Sequence, residues 1–148
     1  FLREMKAAVF TQTMLSEFEQ FAHEQYESEQ PLSPDLLSEK CQQLQEEYFQ
    51  NSIKFMEDDK HLWSMYSHFY TSFYVYKYAT GFLSAILIAD KLKNEKGFVE
   101  KYKKFLSAGC SQDPISLLKI ADCDLEDEKT FDKAFEVCRK YLRLFEEV

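Results

Sequence analysis

A chain of 148 residues with 45% hydrophobic and 16% aromatic residues is long enough for one packed domain, and this composition excludes a disordered tail. Three glycines and three prolines are too few for a fold of many strands and turns, so we expect an all-α helical bundle. The formal net charge of −8 argues against a nucleic-acid partner, which would require a basic surface.

The first part of the chain carries an apolar residue every three or four positions, as one face of a helix does: Phe10, Met14, Phe18 and Phe21. This spacing predicts a first helix from about residue 2 to residue 28. Ser33, Pro34 and Asp35 have the residue types of an N-cap, a first helical position and an acidic first turn. They predict a second helix, whose inner side carries Leu36, Leu37, Cys41, Leu44 and Tyr48.

The remaining elements are also predicted to be helical. Charged residues 57–60 indicate a solvated turn, and residues 69–93 then predict a third helix. Because that helix is apolar all round, it should be central and covered on every side. After a break at residues 94–97, a short helix should stop at Gly109 and another should begin at Asp113 and Pro114. A last helix over residues 130–147 has the apolar stripe Phe131, Phe135, Cys138, Leu142 and Phe145.

The cysteines offer no metal site by their spacing: Cys41, Cys110, Cys123 and Cys138 form neither a C-x-x-C pair nor a zinc-finger pattern with histidine. With no secretory signal, reduced thiols and a cytoplasmic location are expected. No uninterrupted apolar run reaches the roughly 18 residues of a membrane span, so no membrane partner is predicted.

Two of the three histidines have weak functional signals. The sequence HEQYE at residues 23–27 begins like the zinc motif H-E-x-x-H but ends in Glu27, and one imidazole cannot replace the pair that binds zinc from one helical face. We interpret this segment as a surface helix. His61 follows Asp58, Asp59 and Lys60, which indicates an exposed loop.

The third histidine begins the most informative stretch of the chain. His68 is followed by Tyr70, Tyr74, Tyr76 and Tyr78, and buried tyrosine hydroxyls need hydrogen-bond partners. The group is therefore either a satisfied core network or a polar site in an apolar wall. On a continuous helix, the tyrosines at 70, 74 and 78 would form one stripe, whereas the one at 76 would point elsewhere.

This stretch, HFYTSFYVYKYATG at residues 68–81, closely resembles the segment downstream of the zinc site in the oligoendopeptidase F group of the thimet-type (M3) zinc metallopeptidases. The flanking sequences TMLSEFE (13–19), YKKFLSAGCS (102–111) and DPISLLK (113–119) are also similar to that family, so the resemblance covers nearly the whole chain. Ser67 stands where the family usually has proline.

The resemblance implies roles for the aromatic residues. In the family, a histidine and tyrosines from this region reach over the zinc and donate hydrogen bonds to the oxyanion of the attacked peptide bond. By position, His68 and Tyr76 are the implied catalytic residues. His68, Tyr70, Tyr74 and Tyr76 are the implied binding residues for an oligopeptide substrate, and which of the three tyrosines reaches the substrate stays open.

The resemblance also implies what these 148 residues do not contain. The family's zinc ligands are the histidines of H-E-x-x-H and a later glutamate, and that motif is missing from this sequence. Residues 1–148 should then be a single partial domain, the C-terminal portion of a larger, mostly helical catalytic domain, without the upstream zinc-binding portion. Zinc is expected in the intact parent and no metal in this fragment, which should be inactive alone and self-associate through an exposed apolar face.

One alternative class of function fits the same residues. A helical protein-interaction module could use the aromatic stretch as a groove that binds a partner helix. Such a module should be monomeric and active in binding as the isolated chain, which distinguishes it from a peptidase fragment.

Overall fold

The computed structural model describes residues 1–147, except for the side chain of Asn51. Over that range the regular elements are helices and no strand occurs, which confirms the all-α prediction. The chain divides into an N-terminal unit, Arg3–Ala79, and a C-terminal unit formed by Thr80–Val148 together with Phe1–Leu2. That residues 1–148 form one partial peptidase domain stays a prediction.

Helical structure begins at the start of the chain, as predicted. Helix α1 (Leu2–Met5), a π-helical segment (Lys6–Thr11) and α2 (Gln12–Glu27) follow one another directly. Two backbone carbonyls of the π segment accept hydrogen bonds from threonine hydroxyls, Lys6 from Thr11 and Val9 from Thr13 at the start of α2. These side chains compete with backbone N–H groups for the same acceptors, which favours a local departure from α-helical bonding.

Helix α3 (Pro34–Phe49) begins where the sequence predicts. Ser33 Oγ accepts the N–H of Leu36 at 3.2 Å, and Pro34 occupies the first helical turn. Short helical segments follow: two 3₁₀-helices (Gln50–Ser52 and Glu57–His61), α4 (Leu62–Met65) and a third 3₁₀-helix (Ser67–Tyr70). The predicted turn at residues 57–60 is thus a 3₁₀-helix, and Asp59 Oδ2 accepts the N–H of Met56 at 2.7 Å at its start.

The interior of the N-terminal unit lies between α2 and α3. Six buried residues form it: Met14, Leu15, Phe18, Cys41, Leu44 and Val75. The rings of Trp63 and Phe69 pack on Phe18, with centroids 6.2 and 5.5 Å away. Each fully buried aliphatic side chain contributes about 1.5–3 kcal/mol to folding relative to an exposed one. Burial of these apolar faces holds the short elements that carry the aromatic stretch.

The aromatic stretch departs from its prediction. Helix α5 (Tyr76–Asn94) begins at Tyr76, whereas residues 71–75 form a bend with Phe73 in the left-handed region at φ 54°. A residue at positive φ cannot continue a right-handed helix, so the predicted helix over residues 69–93 is wrong in its first turns. Tyr70 and Tyr74 lie ahead of α5, and the predicted single tyrosine stripe does not form.

The predicted complete burial of this helix is also wrong. Tyr76 and Tyr78 are 45% and 38% exposed in its first turn, while Leu83, Ile86 and Leu87 farther along are buried. An apolar sequence therefore identified the buried middle of the helix but not its open first turn. Aromatic side chains with polar hydroxyls tolerate this intermediate position, because the ring can pack while the hydroxyl stays in water.

The C-terminal unit contains the rest of α5 together with α6 (Phe98–Ala108), α7 (Pro114–Ile120) and α8 (Glu128–Glu146). The predicted stop at Gly109 is confirmed, with φ 54° after the last helical residue. Asp113 Oδ1 accepts the N–H of Ser116 at 2.9 Å, which confirms the predicted start of α7. Hydrogen bonds from the side chain and then the backbone N–H of Ser116 lower the pKa of the Asp113 carboxyl. Buried Ile88, Phe98 and Ala121 form the centre of one cluster in this unit.

Helix α8 confirms the predicted final helix, although part of its apolar stripe is exposed. Thr130, Ala134 and Cys138 are buried, whereas Leu142 is 42% and Phe145 69% exposed. Helical spacing defines a face of a helix, but it does not determine what lies opposite that face. None of the helices over residues 1–147 is both long enough and apolar enough to span a bilayer.

Candidate functional site

His68 lies in the 3₁₀-helix just before the bend, and its ring is half-buried. Its Nε2 atom is 3.1 Å from the hydroxyl oxygen of Tyr78, and that hydroxyl donates to the hydroxyl of Tyr74 across 3.4 Å. The tautomer of the imidazole decides whether Nε2 of His68 donates to the Tyr78 hydroxyl or accepts from it.

Ring contacts hold the same side chains in place. The His68 ring stacks on Tyr74, with centroids 5.5 Å apart and planes at 16°, and meets the edge of Tyr78 at 5.6 Å and 82°. Tyr74 and Tyr78 are also nearly perpendicular, at 5.5 Å, and the Tyr66 ring lies 5.8 Å from His68. We name Tyr66, His68, Tyr74 and Tyr78 the aromatic cluster.

The aromatic cluster is open to solvent. The hydrogen bonds between His68, Tyr78 and Tyr74 are in an exposed environment, and Tyr78 itself is 38% exposed. The hydrogen bond to Tyr74 raises the pKa of Tyr78, so its hydroxyl keeps its proton and remains a donor. Of the two alternatives set by the sequence, a sealed core network does not fit these observations. The observations fit the other alternative, a group of polar side chains that is accessible to solvent.

The structure brings together only some of the residues proposed from the sequence. Tyr74 contacts His68 directly, whereas Tyr70 is 90% exposed at the end of the 3₁₀-helix. Tyr76, the first residue of α5, is 45% exposed and also takes part in contacts. Tyr78 was not among the proposed site residues, and it is the hydrogen-bond partner of His68.

A groove of about 390 Å³ borders the aromatic cluster in the N-terminal unit. Its walls are mainly aromatic and aliphatic, and they include Phe18, Trp63, Tyr66, Phe69 and Tyr70. Glu19 also lines it and is only 4% exposed. A mostly apolar groove beside a few polar groups is the usual form of a site that binds a small molecule or a side chain.

The other two histidines lie outside the cluster. His23 is half-buried and stacks on Phe73 at 4.6 Å and 29°, whereas Glu24, Tyr26 and Glu27 of the same part of α2 are exposed, as predicted for a surface helix. His61 is exposed, as predicted, and its Nδ1 lies 3.0 Å from Ser38 Oγ. Among the described residues, no three His, Cys, Asp or Glu side chains are grouped so that they could hold a metal ion.

Comparison with known proteins identifies the family. The model of peptidase family M3 matches residues 2–137. Oligopeptidase PepF of Bacillus subtilis is 35% identical over 148 residues, which are 99% of this chain and 22% of the relative. The oligoendopeptidase F homolog of Borreliella burgdorferi is 38% identical over 139 residues, or 92% of this chain and 24% of the relative.

A solved structure gives the same result. The crystal structure of oligoendopeptidase-F from Enterococcus faecium superposes with a TM-score of 0.90 at 33% identity, over 96% of this chain and 27% of that chain. Our chain thus spans about a quarter of the length of the relatives it matches. It belongs to peptidase family M3, and the resemblance to the oligoendopeptidase F group is confirmed.

Proposed function

We propose that this member of peptidase family M3 is the C-terminal part of the catalytic domain of a zinc-dependent oligoendopeptidase that hydrolyses internal bonds of short peptides. The oligoendopeptidase F relatives and the matching fold support this proposal. Since the chain has about a quarter of the relatives' length, the activity is assigned to a longer protein that includes these residues.

In that protein, His68 and Tyr76 would donate hydrogen bonds to the oxyanion that forms when the peptide carbonyl is attacked. Tyr70 and Tyr74 would bind the peptide substrate beside them. The single observation that supports the roles of His68 and Tyr74 is their open arrangement with Tyr78, in which ring contacts hold the imidazole and the two hydroxyls in place. Tyr76 and Tyr70 are assigned by their positions in the aromatic stretch. Donors fixed in advance where charge develops contribute most to catalysis, because no reorganisation is needed in the transition state.

The zinc would be held by residues outside this chain. The H-E-x-x-H motif is missing from the sequence, and the described residues contain no group of metal ligands. The 148-residue chain alone is therefore expected to bind no stoichiometric zinc and to cleave no fluorogenic peptide. Cleavage by the purified chain, abolished by a chelator, would contradict this.

The roles of the two donors are tested in a peptidase chain that contains these 148 residues together with an H-E-x-x-H segment. Either His68→Ala or Tyr76→Phe should lower kcat by roughly 10²-fold, which is the effect of losing one oxyanion donor. Tyr26→Phe is the matched control, because Tyr26 is 74% exposed on α2, and it should leave kcat unchanged. Unchanged kcat in both test variants removes His68 and Tyr76 from the mechanism.

Self-association of the isolated chain is a second expectation. Tyr70 and Met65, near the aromatic cluster in sequence, are 90% and 81% exposed. Exposed apolar residues of this size favour association when they are adjacent on a surface. Size-exclusion chromatography with a hydrophobic dye should show oligomers and dye binding. A monomer that binds little dye would favour the alternative of a helical interaction module.

We also propose a cytoplasmic location. The thiols of Cys41, Cys110, Cys123 and Cys138 are all free, which fits a reducing compartment. Burial raises the pKa of the Cys41, Cys123 and Cys138 thiols, so these three are poor nucleophiles. Fractionation of cells that produce the full protein tests this directly, and recovery in an extracellular fraction would overturn it.

A further inference from the structure

We infer that Glu19 is a positioning residue for the aromatic cluster: its buried carboxylate holds Phe73 in the left-handed conformation and thereby fixes Tyr74 against His68. The consequence for catalysis rests on the function proposed above. The consequence for the position of Tyr74 does not depend on it.

The first observation is a hydrogen bond between residues that are 54 positions apart. Glu19 Oε1 accepts the backbone N–H of Phe73 at 2.6 Å, and the Glu19 side chain is only 4% exposed. A carboxylate loses its hydration when it is buried, and this loss is tolerated where the group makes a strong hydrogen bond. The bend at residues 71–75 therefore has an acceptor on α2 at a defined place.

The second observation is the backbone strain at Phe73. Its φ is 54°, a region that large side chains avoid because the Cβ atom crowds the backbone, and that persists only where surrounding contacts impose it. Two contacts from one face of α2 meet this residue: Glu19 binds its N–H, and His23, one helical turn later, stacks on its ring. Helix α2 thus supplies contacts to both the backbone and the side chain of Phe73.

The neighbours of Phe73 show what this conformation controls. Tyr74 stacks on His68 and accepts the hydrogen bond from Tyr78, while Val75 is fully buried in the interior of the N-terminal unit. Val75 anchors the bend on one side of Tyr74, and the bond to Glu19 anchors it on the other. If Phe73 returned to negative φ, the next peptide would rotate and the Tyr74 ring would leave its place on His68.

The two oxygens of Glu19 have different surroundings, and two substitutions distinguish their effects. Oε2 is buried and has no hydrogen-bond partner among the described residues. Glutamine keeps an acceptor for the Phe73 N–H but removes the charge and adds an amide without an evident acceptor. Leucine has a similar volume and removes the acceptor completely. The series Glu19→Gln and Glu19→Leu should therefore have graded effects on the same contact.

The structural consequence is tested by NMR on this chain, which has three histidines. The ring protons of His68 should be shifted by the stacked Tyr74, and Glu19→Leu should move these signals toward those of a free histidine. His61 serves as the internal control, because its contact is with Ser38. Unchanged His68 signals in folded Glu19→Leu overturn the inference. The inference is also overturned if the Glu19→Gln protein does not fold, because the carboxylate would then be required for folding alone.

The catalytic consequence is measured in a peptidase chain that includes these residues and an H-E-x-x-H segment. We expect Glu19→Leu to lower kcat/KM about tenfold, with a smaller loss for Glu19→Gln. Phe73→Gly should make the loss from Glu19→Leu much smaller, because glycine adopts positive φ without the strain. Fully additive losses contradict the positioning role.

The outcomes separate the two proposals. If His68→Ala leaves kcat unchanged but Glu19→Leu moves the His68 signals, the catalytic assignment of His68 fails and the positioning role of Glu19 stands. If His68→Ala lowers kcat but Glu19→Leu changes neither the His68 signals nor kcat/KM, the positioning role is overturned and the catalytic assignment stands.

Discussion

Two groups of side chains in the N-terminal unit are both closely packed but differ in their exposure to water. The interior group, which includes Leu15, Leu44 and Val75, is almost completely shielded from water. The rings of the aromatic cluster pack on one another, yet its hydrogen bonds face solvent. Tyr74 and Val75 are consecutive residues, and they belong to different groups. The difference indicates that burial of the first group stabilises the fold, whereas the polar groups of the second remain accessible to solvent.

The largest expected effect concerns the interior. Leu44→Ala should lower the free energy of unfolding of this chain by about 2–5 kcal/mol, because it leaves a cavity in a packed interior. Leu106→Ala is the control: that side chain is 57% exposed, and its loss should change the value by less than about 0.5 kcal/mol. Both are measured by urea denaturation. Equal losses of unfolding free energy in Leu44→Ala and Leu106→Ala would show that the interior group contributes no more to stability than an exposed side chain.

The next effect concerns the aromatic cluster. Tyr78→Phe removes the hydroxyl between His68 and Tyr74, and we expect kcat/KM of a peptidase chain that includes these residues to fall about tenfold, equivalent to about 1.4 kcal/mol. Urea denaturation should detect a loss of less than about 1 kcal/mol, since the bonds are exposed to water. A large loss of unfolding free energy with unchanged kcat/KM would show that the aromatic cluster stabilises the fold, as the interior group does.

Removing a helix cap should change stability without altering either the interior group or the aromatic cluster. Ser33→Ala removes the acceptor of the Leu36 N–H at the start of α3 and should cost about 1 kcal/mol of unfolding free energy. Ser33→Asp, which keeps an acceptor, is the matched control and should retain the stability. If Ser33→Ala also lowers kcat/KM, general loss of stability affects the site, and the effect of Tyr78→Phe must be corrected for it.

The smallest effect is a shift in titration. The hydrogen bond to Tyr74 raises the pKa of Tyr78, so Tyr78 should ionise at higher pH than an ordinary tyrosine. Since the folded pKa is above the unfolded value, the stabilising contribution is complete below the unfolded pKa and is lost as pH rises through the folded pKa. Difference titration of tyrosinate absorbance between the wild type and Tyr78→Phe measures this. Tyr74→Phe should return the midpoint to the ordinary range, and an unchanged midpoint would show that the hydroxyl bond is absent.

The local features of the helices were predictable from the sequence. Ser33, Gly109 and Asp113 act within a few residues of themselves, as a cap, a stop and a cap, and each is where the pattern placed it. Fold class and family were also correctly predicted, from composition and from the aromatic stretch. His68 was chosen by resemblance, and the structure adds that its ring is half-buried and partnered.

The hydrogen-bond partners of His68 could not be predicted from local sequence, because they depend on a contact between distant residues. Residues 69–75 are mostly apolar and contain no glycine or proline, and the sequence pattern therefore extended the predicted helix through them. The Phe73 N–H donates to Glu19, a residue 54 positions earlier in the chain. Phe73 has a positive φ, and α5 therefore begins only at Tyr76. A left-handed residue held by a distant carboxylate leaves no periodic signal in its own segment.

By itself, the sequence determined an all-helical chain of the oligoendopeptidase F group and the caps of its helices, because these depend on residue type and short spacing. Only the tertiary structure decided that Tyr74 and Tyr78 meet His68, that the cluster is open to water, and that the last turns of α8 are exposed. The physical reason is that helix caps act over one turn of backbone, whereas burial and the direction of a bend are set by side chains far away in sequence.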